Sequence, residues 1–120
     1  MSEREWKLFA EDIYQSAEKI MKYAKGKTYN DFIKDDVLVD AVIRNLEIIG
    51  EAVKHIPQSI KREYETVDWK GIVGLRNILS HGYFTVNYPA LWKTITEEVP
   101  KLREDINLLL EAEKKKPKKS

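Results

Sequence analysis

The residues best suited to chemistry in this chain lie together in one short segment, Arg76-Asn77-Ile78-Leu79-Ser80-His81-Gly82-Tyr83. Arg76 supplies a planar set of N–H donors that suits phosphate oxygens, and it keeps its charge at physiological pH. His81 belongs to the residue type that exchanges protons near neutral pH. Tyr83 adds a hydroxyl group and a ring that can stack on a base. These residue types together indicate work on a phosphodiester or a nucleotide.

The segment is predicted to lie near the end of a helix over about 69–82, which Asp68 caps and Gly82 ends. On a helix that turns about 100° per residue, Arg76 and His81 lie about 140° apart, so they cannot easily hold one small group unless the final turn unwinds at Gly82. A second copy related by a twofold axis would bring Arg76 of one subunit near His81 of the other. The spacing therefore favours a homodimer, a hypothesis that a monomeric active form would contradict.

Two glycines, Gly71 and Gly74, fall inside this predicted helix. Each costs about 0.8–1.0 kcal/mol relative to alanine, which indicates that something approaches the backbone closely. A neighbouring helix is the favoured explanation, and a bound ligand or RNA strand is the alternative.

The first half of the chain has the pattern of two long amphipathic helices. Apolar residues recur at three- and four-residue steps over 4–25, which predicts a helix that Gly26 ends. A second helix, capped by Asp31 or Asp35, carries apolar residues over more than half its circumference and is ended by Pro57. This second helix is therefore expected to be central.

The second half continues the helical pattern. Residues 58–66 are predicted to contain a short helix. The last helix is predicted to begin at Asn87, to tolerate Pro89 in its first turn and to keep one apolar register across Pro100, as one kinked helix would. Because the sequence has no strand pattern, we predict an all-α, up-and-down bundle of four to five helices.

Length and composition limit the possible functions. The 120 residues suit one domain over 1–112, followed by a frayed lysine-rich tail over 113–120. The formal net charge of +1 gives no global basic field, so any anion site must be local. The chain lacks cysteine and its two histidines are not in a ligand spacing, so no metal or other cofactor is expected. Neither a membrane span nor a signal peptide is recognisable, which favours a cytoplasmic protein without membrane contact.

At the level of motifs the sequence resembles a HEPN domain of the HepT-like toxin family. The family signature is an arginine, four to six residues and then a histidine, and here Arg76, Asn77, His81 and Tyr83 match it. The block over 43–52 resembles the family's second helix, and the block over 75–84 is followed by a last helix that contains tryptophan. The resemblance covers roughly residues 5–110.

The resemblance implies a homodimer with two motifs in one cleft and a metal-independent endoribonuclease that acts on RNA as a toxin. Arg76 would stabilise the phosphate charge and His81 would act as general acid or base. Asn77, Ser80 and Tyr83 would support them. The resemblance also implies an antitoxin, a minimal nucleotidyltransferase, which transfers AMP to Tyr83 in a system of this kind.

Other interpretations stay open on the sequence alone. The chain could be a non-catalytic helical module that binds a nucleotide or a protein, or chiefly a substrate of the nucleotidyltransferase. Arg76 could bridge Glu47 or Glu51, His81 could cap a helix, and Tyr83 could be a ring at the edge of the core. His55, just before the predicted break at residue 57, is expected to act as a cap rather than in chemistry.

Overall fold

The computed structural model describes residues 3–72 and 86–117, and these two ranges contain helices and no strand. The all-α fold class is therefore confirmed. The helices are α1 (Glu3–Ala24), α2 (Tyr29–Lys34), α3 (Asp36–Val53), α4 (Gln58–Glu63), α5 (Tyr88–Lys93) and α6 (Val99–Lys114). A π-helical turn, Thr94–Glu98, joins α5 to α6, and residues 69–72 form a further helical turn after α4. Within these ranges, no helix has the length and apolar character needed to cross a lipid bilayer.

Local side-chain chemistry sets the ends of α1, α2 and α3. Gly26 follows α1 with φ +74°, a conformation that side chains with a Cβ rarely adopt. Thr28 Oγ1 then accepts from the backbone N–H of Asp31 at 3.1 Å, and the Asp31 carboxylate accepts from the backbone N–H of Thr28 at 2.9 Å. Asp35 accepts from the backbone N–H of Leu38 at 3.1 Å and begins α3. Of the two predicted caps, Asp35 therefore serves α3, while Asp31 belongs to α2, a helix that the sequence pattern did not separate.

The end of α3 differs from the prediction. The helix ends at Val53, and the turn that follows is tightened by a bond from the backbone N–H of Ile56 to the Val53 carbonyl at 3.2 Å. Pro57 is the N-cap of α4 rather than the residue that ends α3. The prediction was wrong here because apolar periodicity continues through this turn, where Ile56 is still buried. The predicted short helix after residue 57 is confirmed as α4.

The last helix is continuous from Tyr88 to Lys114, as the unbroken apolar register predicts. Asn87 Oδ1 accepts from the backbone N–H of Ala90 at 3.1 Å, which confirms the predicted cap. The backbone N–H of Val99 donates to the Thr94 carbonyl, five residues earlier, immediately before Pro100. Since proline lacks an N–H and its ring crowds the preceding turn, the wider π-helical turn lets the helix pass through this position.

The core lies where α1 packs against α3 and against the last helix. Full burial of each large apolar side chain contributes about 1.5–3 kcal/mol, so this shared core holds the three long helices together. The largest completely buried side chains are Phe32, Ile13, Ile20, Ile49, Leu91, Ile95, Ile106, Leu109, Val42, Val53 and Val99.

A polar contact fastens α1 to α6 outside this core. Arg103 Nε donates to Glu18 Oε1 at 2.7 Å, and the guanidinium lies 5.5 Å from the centre of the Tyr14 ring. Hydrogen bonds from Tyr14 and Arg103 lower the pKa of Glu18 below its usual value. The charged form of Glu18 is thus the one that suits this contact.

Candidate functional site

The predicted site residues Arg76, Asn77, Ser80, His81 and Tyr83 lie in 73–85, outside the described residues. Their roles and mutual distances stay predictions. The structure describes the residues that come directly before and after this segment, up to 72 and from 86 onward. These residues determine where the segment leaves and rejoins the bundle.

The residues that lead into the segment from its N-terminal side form a capped helical turn. Asp68 Oδ1 accepts from the backbone N–H of Gly71 at 2.9 Å, which confirms the predicted cap. Trp69 Nε1 donates to the Tyr64 carbonyl at 3.1 Å, and Ile72 is buried with 4% of its surface exposed. The turn before the predicted catalytic segment is therefore held by a cap, an indole hydrogen bond and an apolar anchor.

The structure shows which group lies close to the backbone of Gly71, and the sequence did not reveal it. A Cβ built at this position would lie 2.2 Å from Asp68 Oδ2. Among the described residues, the group nearest to the Gly71 backbone is thus the capping carboxylate of the same helix and not a neighbouring helix, while the alternative of a bound ligand or RNA strand stays a prediction. Gly74 lies outside the described residues.

The approach from the C-terminal side runs through Val86 and Asn87 into α5, where Pro89 occupies the first turn as predicted. Trp92 follows on α5 and packs at 5.3 Å between ring centres against the buried Phe32 of α2. Trp6 of α1 is part of the core, whereas Trp69 and Trp92 are half buried against it. All three tryptophans thus act as anchors, and two of them flank the predicted segment.

A small cleft lies between the turn that precedes the segment and the last helix. Gly71 and Ile72 face it from one side, and Lys101 and Asp105 face it from the other. Lys101 Nζ lies 2.7 Å from Asp105 Oδ2, and this pairing raises the pKa of Lys101. Ile72, the last described residue before the segment, therefore lies beside the part of α6 that follows Pro100.

His55, the second histidine, is exposed and stacks on Phe9 of α1 with ring centres 4.3 Å apart. Its backbone N–H donates to the Ala52 carbonyl at 3.0 Å in the turn after α3. His55 lies just after the end of α3, but the C-cap residue is Lys54 and the His55 ring stacks on Phe9, so the expected capping role is wrong. Among the described residues, no three histidine, cysteine, aspartate or glutamate side chains are grouped as a metal ion would require.

A buried polar cluster that the sequence pattern did not indicate joins α4 to the end of α6. Glu113, 4% exposed, accepts a short hydrogen bond from the Tyr64 hydroxyl and lies 2.6 Å from Lys116 Nζ. Lys116 also forms an ion pair with Glu63. The frayed state predicted from residue 113 is therefore wrong for residues 113–116, since a carboxylate on the core-facing side of α6 holds them. The boundary of the domain at 112 stays a prediction.

Protonation in this cluster follows from burial and hydrogen bonding. Burial and the hydrogen bond to Glu113 raise the pKa of Tyr64 to about 12. Burial alone raises the pKa of Glu113, but the hydrogen bonds from Lys116 and Tyr64 outweigh it and leave that pKa below its usual value. A neutral phenol and an ionised carboxylate are therefore the paired forms. Because Tyr64 also accepts the Trp69 indole bond through its carbonyl, the cluster extends to the turn before the predicted segment.

Comparison with known proteins identifies the family. A protein of Methanocaldococcus jannaschii named "Putative RNase" is 43% identical over 109 residues, which cover 91% of this chain and 100% of that protein. A "Putative RNase" of Caldanaerobacter subterraneus subsp. tengcongensis is 43% identical over 106 residues, 88% of this chain and 95% of that protein. The "Probable ribonuclease HepT" of Thermococcus cleftensis is 40% identical over 100 residues, 83% of this chain and 91% of that protein.

No solved structure matches the chain significantly. The sequence model of the family described as "Ribonuclease HepT-like" matches residues 13–109, a range that includes the predicted catalytic segment and both of its approaches. This all-α chain therefore belongs to the HepT-like ribonuclease family of HEPN domains.

Proposed function

We propose that this protein is a metal-independent endoribonuclease and the toxin of a toxin–antitoxin pair. The proposal depends on the family match over 13–109, a range that contains the predicted catalytic residues Arg76 and His81. The relatives whose names include RNase or ribonuclease support the same reaction class.

The proposed reaction uses the substrate's own 2′-hydroxyl as the nucleophile. His81 accepts the proton of that hydroxyl while the 2′ oxygen bonds to phosphorus. Arg76 donates to the non-bridging oxygens, whose negative charge increases in the phosphorane. The bond from phosphorus to the 5′ oxygen then breaks, and the 5′ oxygen takes a proton from an imidazolium. The products are a 2′,3′-cyclic phosphate and a 5′-hydroxyl end, with no net consumption of water in this step.

The proposed site is shared by two subunits. Positions 76 and 81 point in directions about 140° apart on a regular helix, so a single copy does not easily direct both side chains to one phosphate. A twofold axis beside the segment supplies the missing group from the other copy. Asn77 and Ser80 add hydrogen-bonding groups on the same predicted helix face.

The decisive experiment is cleavage of single-stranded RNA in excess EDTA, with end-group analysis of the products. We expect cyclic phosphate ends from the unaltered protein. Arg76→Ala should lower the rate about 10²–10³-fold and His81→Ala about 10²–10⁴-fold, because each removes a group that acts on the transition state. His55→Ala is the matched control, since this exposed histidine stacks on Phe9 and should leave the rate unchanged. Undiminished cleavage by the Arg76 and His81 variants, with circular dichroism unchanged, would contradict the proposed site.

Neutralisation is proposed to occur at Tyr83 by a nucleotidyltransferase antitoxin. The Tyr83 oxygen would bond to the α-phosphorus of ATP and release pyrophosphate, which leaves an AMP group with its negative charge and bulk next to the phosphate site. After co-expression with a minimal nucleotidyltransferase, intact mass should increase by whole AMP units in the unaltered chain and not in Tyr83→Phe. A modified Tyr83→Phe protein would place the acceptor elsewhere.

A further inference from the structure

A broad cleft of about 920 Å³ lies beside α4 and the turn that precedes the predicted catalytic segment. Three cationic side chains line it: Lys61 and Arg62 from α4, and Lys70 from the helical turn 69–72. Arg62 and Lys70 are exposed and Lys61 is half buried. None of the three has a carboxylate within ion-pair distance among the described residues. These cations are therefore available for an external anion.

The carboxylates near this cleft are largely engaged elsewhere. Asp68 lines it, but its Oδ1 accepts from the backbone N–H of Gly71 at the positive end of a helical turn. Glu63, next to Arg62 in the chain, is paired with Lys116 and does not line the cleft. Glu65 is the remaining acidic residue of the lining. The lining thus has three cations against two carboxylates, one of which already serves as a helix cap.

Three other clefts in the described part of the chain are lined by more carboxylates than cations. The cleft beside Lys101 has this one cation against three carboxylates. The groove between α1 and α3, which contains His55, has Arg44 against three carboxylates. The depression at the start of α2 has two lysines against three aspartates. The whole chain is only +1, and of these four clefts the one beside α4 alone has more cations than carboxylates in its lining.

Trp69 gives this cleft a second property that suits a nucleic acid. Its ring lines the cleft while half buried against the core, and its Nε1 is held by the Tyr64 carbonyl at 3.1 Å. A fixed aromatic ring among cations is the arrangement that binds single strands, since bases stack on the ring and phosphates pair with the cations. Lys70, in turn, precedes Arg76 by only six residues, so the cleft adjoins the predicted catalytic segment in the chain.

We propose that Lys61, Arg62, Lys70 and Trp69 form a subsite for single-stranded RNA on one side of the cleaved phosphate. The three cations bind the backbone phosphates, and Trp69 stacks on a base. The inference rests on the proposed function, because RNA is its ligand. It assigns binding and not chemistry to these residues, so their loss should weaken RNA binding and leave the bond-breaking step intact.

The test measures binding of a fluorescent 2′-O-methyl oligoribonucleotide, which lacks the nucleophile for cleavage, as a function of salt. The test variant is the triple substitution Lys61→Gln, Arg62→Gln and Lys70→Gln. We expect binding about 10- to 100-fold weaker near 0.1 M salt and a log–log salt slope smaller in magnitude by about 2, as the loss of three phosphate contacts to a single strand predicts. Trp69→Leu should weaken binding without changing the slope, and circular dichroism verifies that it is folded.

The matched control is the triple variant Lys19→Gln, Lys22→Gln and Lys25→Gln, which changes the net charge equally on exposed lysines near the end of α1. Binding by the control should equal that of the unaltered protein. If both triple variants bind equally well, or lose affinity equally, the subsite is refuted. A protein that binds this oligonucleotide but fails to cleave unmodified RNA would refute the nuclease and leave the subsite standing. A protein that binds no RNA would refute both.

Discussion

At the residue scale, the start of the helix before the predicted catalytic segment depends on a pair three positions apart. Asp68 accepts from the backbone N–H of Gly71 at 2.9 Å in an orientation that places its second carboxylate oxygen 2.2 Å from where a Cβ of residue 71 would lie, so a larger residue there would displace this carboxylate. The cap contributes about 0.5–2 kcal/mol, while glycine costs about 1 kcal/mol relative to alanine in a helix. The cap thus offsets the cost of the glycine.

This balance predicts that Gly71→Ala has different effects in two backgrounds. In the unaltered chain the gain in helix propensity and the displaced cap should nearly cancel. In Asp68→Ala, where no carboxylate can clash, the same substitution should stabilise the protein by about 1 kcal/mol. Urea unfolding of the four proteins gives the coupling free energy directly. Equal effects of Gly71→Ala in both backgrounds would show that the carboxylate is not what requires glycine.

At the element scale, the cluster of Tyr64, Glu113 and Lys116 joins α4 to the end of α6 and makes stability depend on pH. The pKa of Tyr64 is raised from 10.0 to about 12, so the folded protein holds the phenol proton more tightly than the unfolded chain does. The stability from this proton is fully present below pH 10 and is lost as pH rises toward 12, since a phenolate would repel Glu113.

Tyr64→Phe should therefore remove this alkaline decrease. The variant should be less stable than the unaltered protein at neutral pH, because Glu113 loses a hydrogen-bond donor in a buried position. The difference between the two free energies of unfolding should narrow as pH rises above 10. Urea titrations at several pH values measure that difference, and a constant gap would show that the Tyr64 hydroxyl does not titrate in contact with Glu113.

The helices show which features a sequence can reveal. The caps Asp35, Asp68 and Asn87 were predictable because each bonds a backbone N–H three residues away. The register of the apolar residues predicted the continuous last helix, because this pattern also depends on residues that are close in sequence. The end of α3 was not predictable from register, since burial continues past Val53 after the helical hydrogen bonds stop.

Long-range polar contacts were beyond the sequence. The Tyr64–Glu113 hydrogen bond spans 49 positions and the Arg103–Glu18 bond spans 85. A glutamate at the edge of a lysine run is expected to lie in solvent. Only the packing of α6 reveals that residue 113 faces the core. For the site itself, residue types and spacing identified the candidates Arg76 and His81, while their positions in space lie outside the described residues.

At the scale of the whole molecule, the proposed site needs two copies of the chain, and this requirement can be tested without a structure of the dimer. If each site combines Arg76 of one subunit with His81 of the other, Arg76→Ala and His81→Ala are complementary defects. In a mixed dimer one site has both intact residues and the other has neither. Random exchange makes half of the dimers mixed, so the mixture should regain about a quarter of the unaltered activity.

The measurement is RNA cleavage after the two inactive variants are unfolded and refolded together, with mass spectrometry of the intact assembly to establish that mixed dimers form. A mixture of Arg76→Ala with itself at the same total concentration is the control and should stay inactive. Because neither variant alone has both groups, recovered activity can come only from a site that two subunits share. Mixed dimers without recovered activity would assign Arg76 and His81 of each site to one subunit, and the local helix would then have to depart from regular geometry to bring them together.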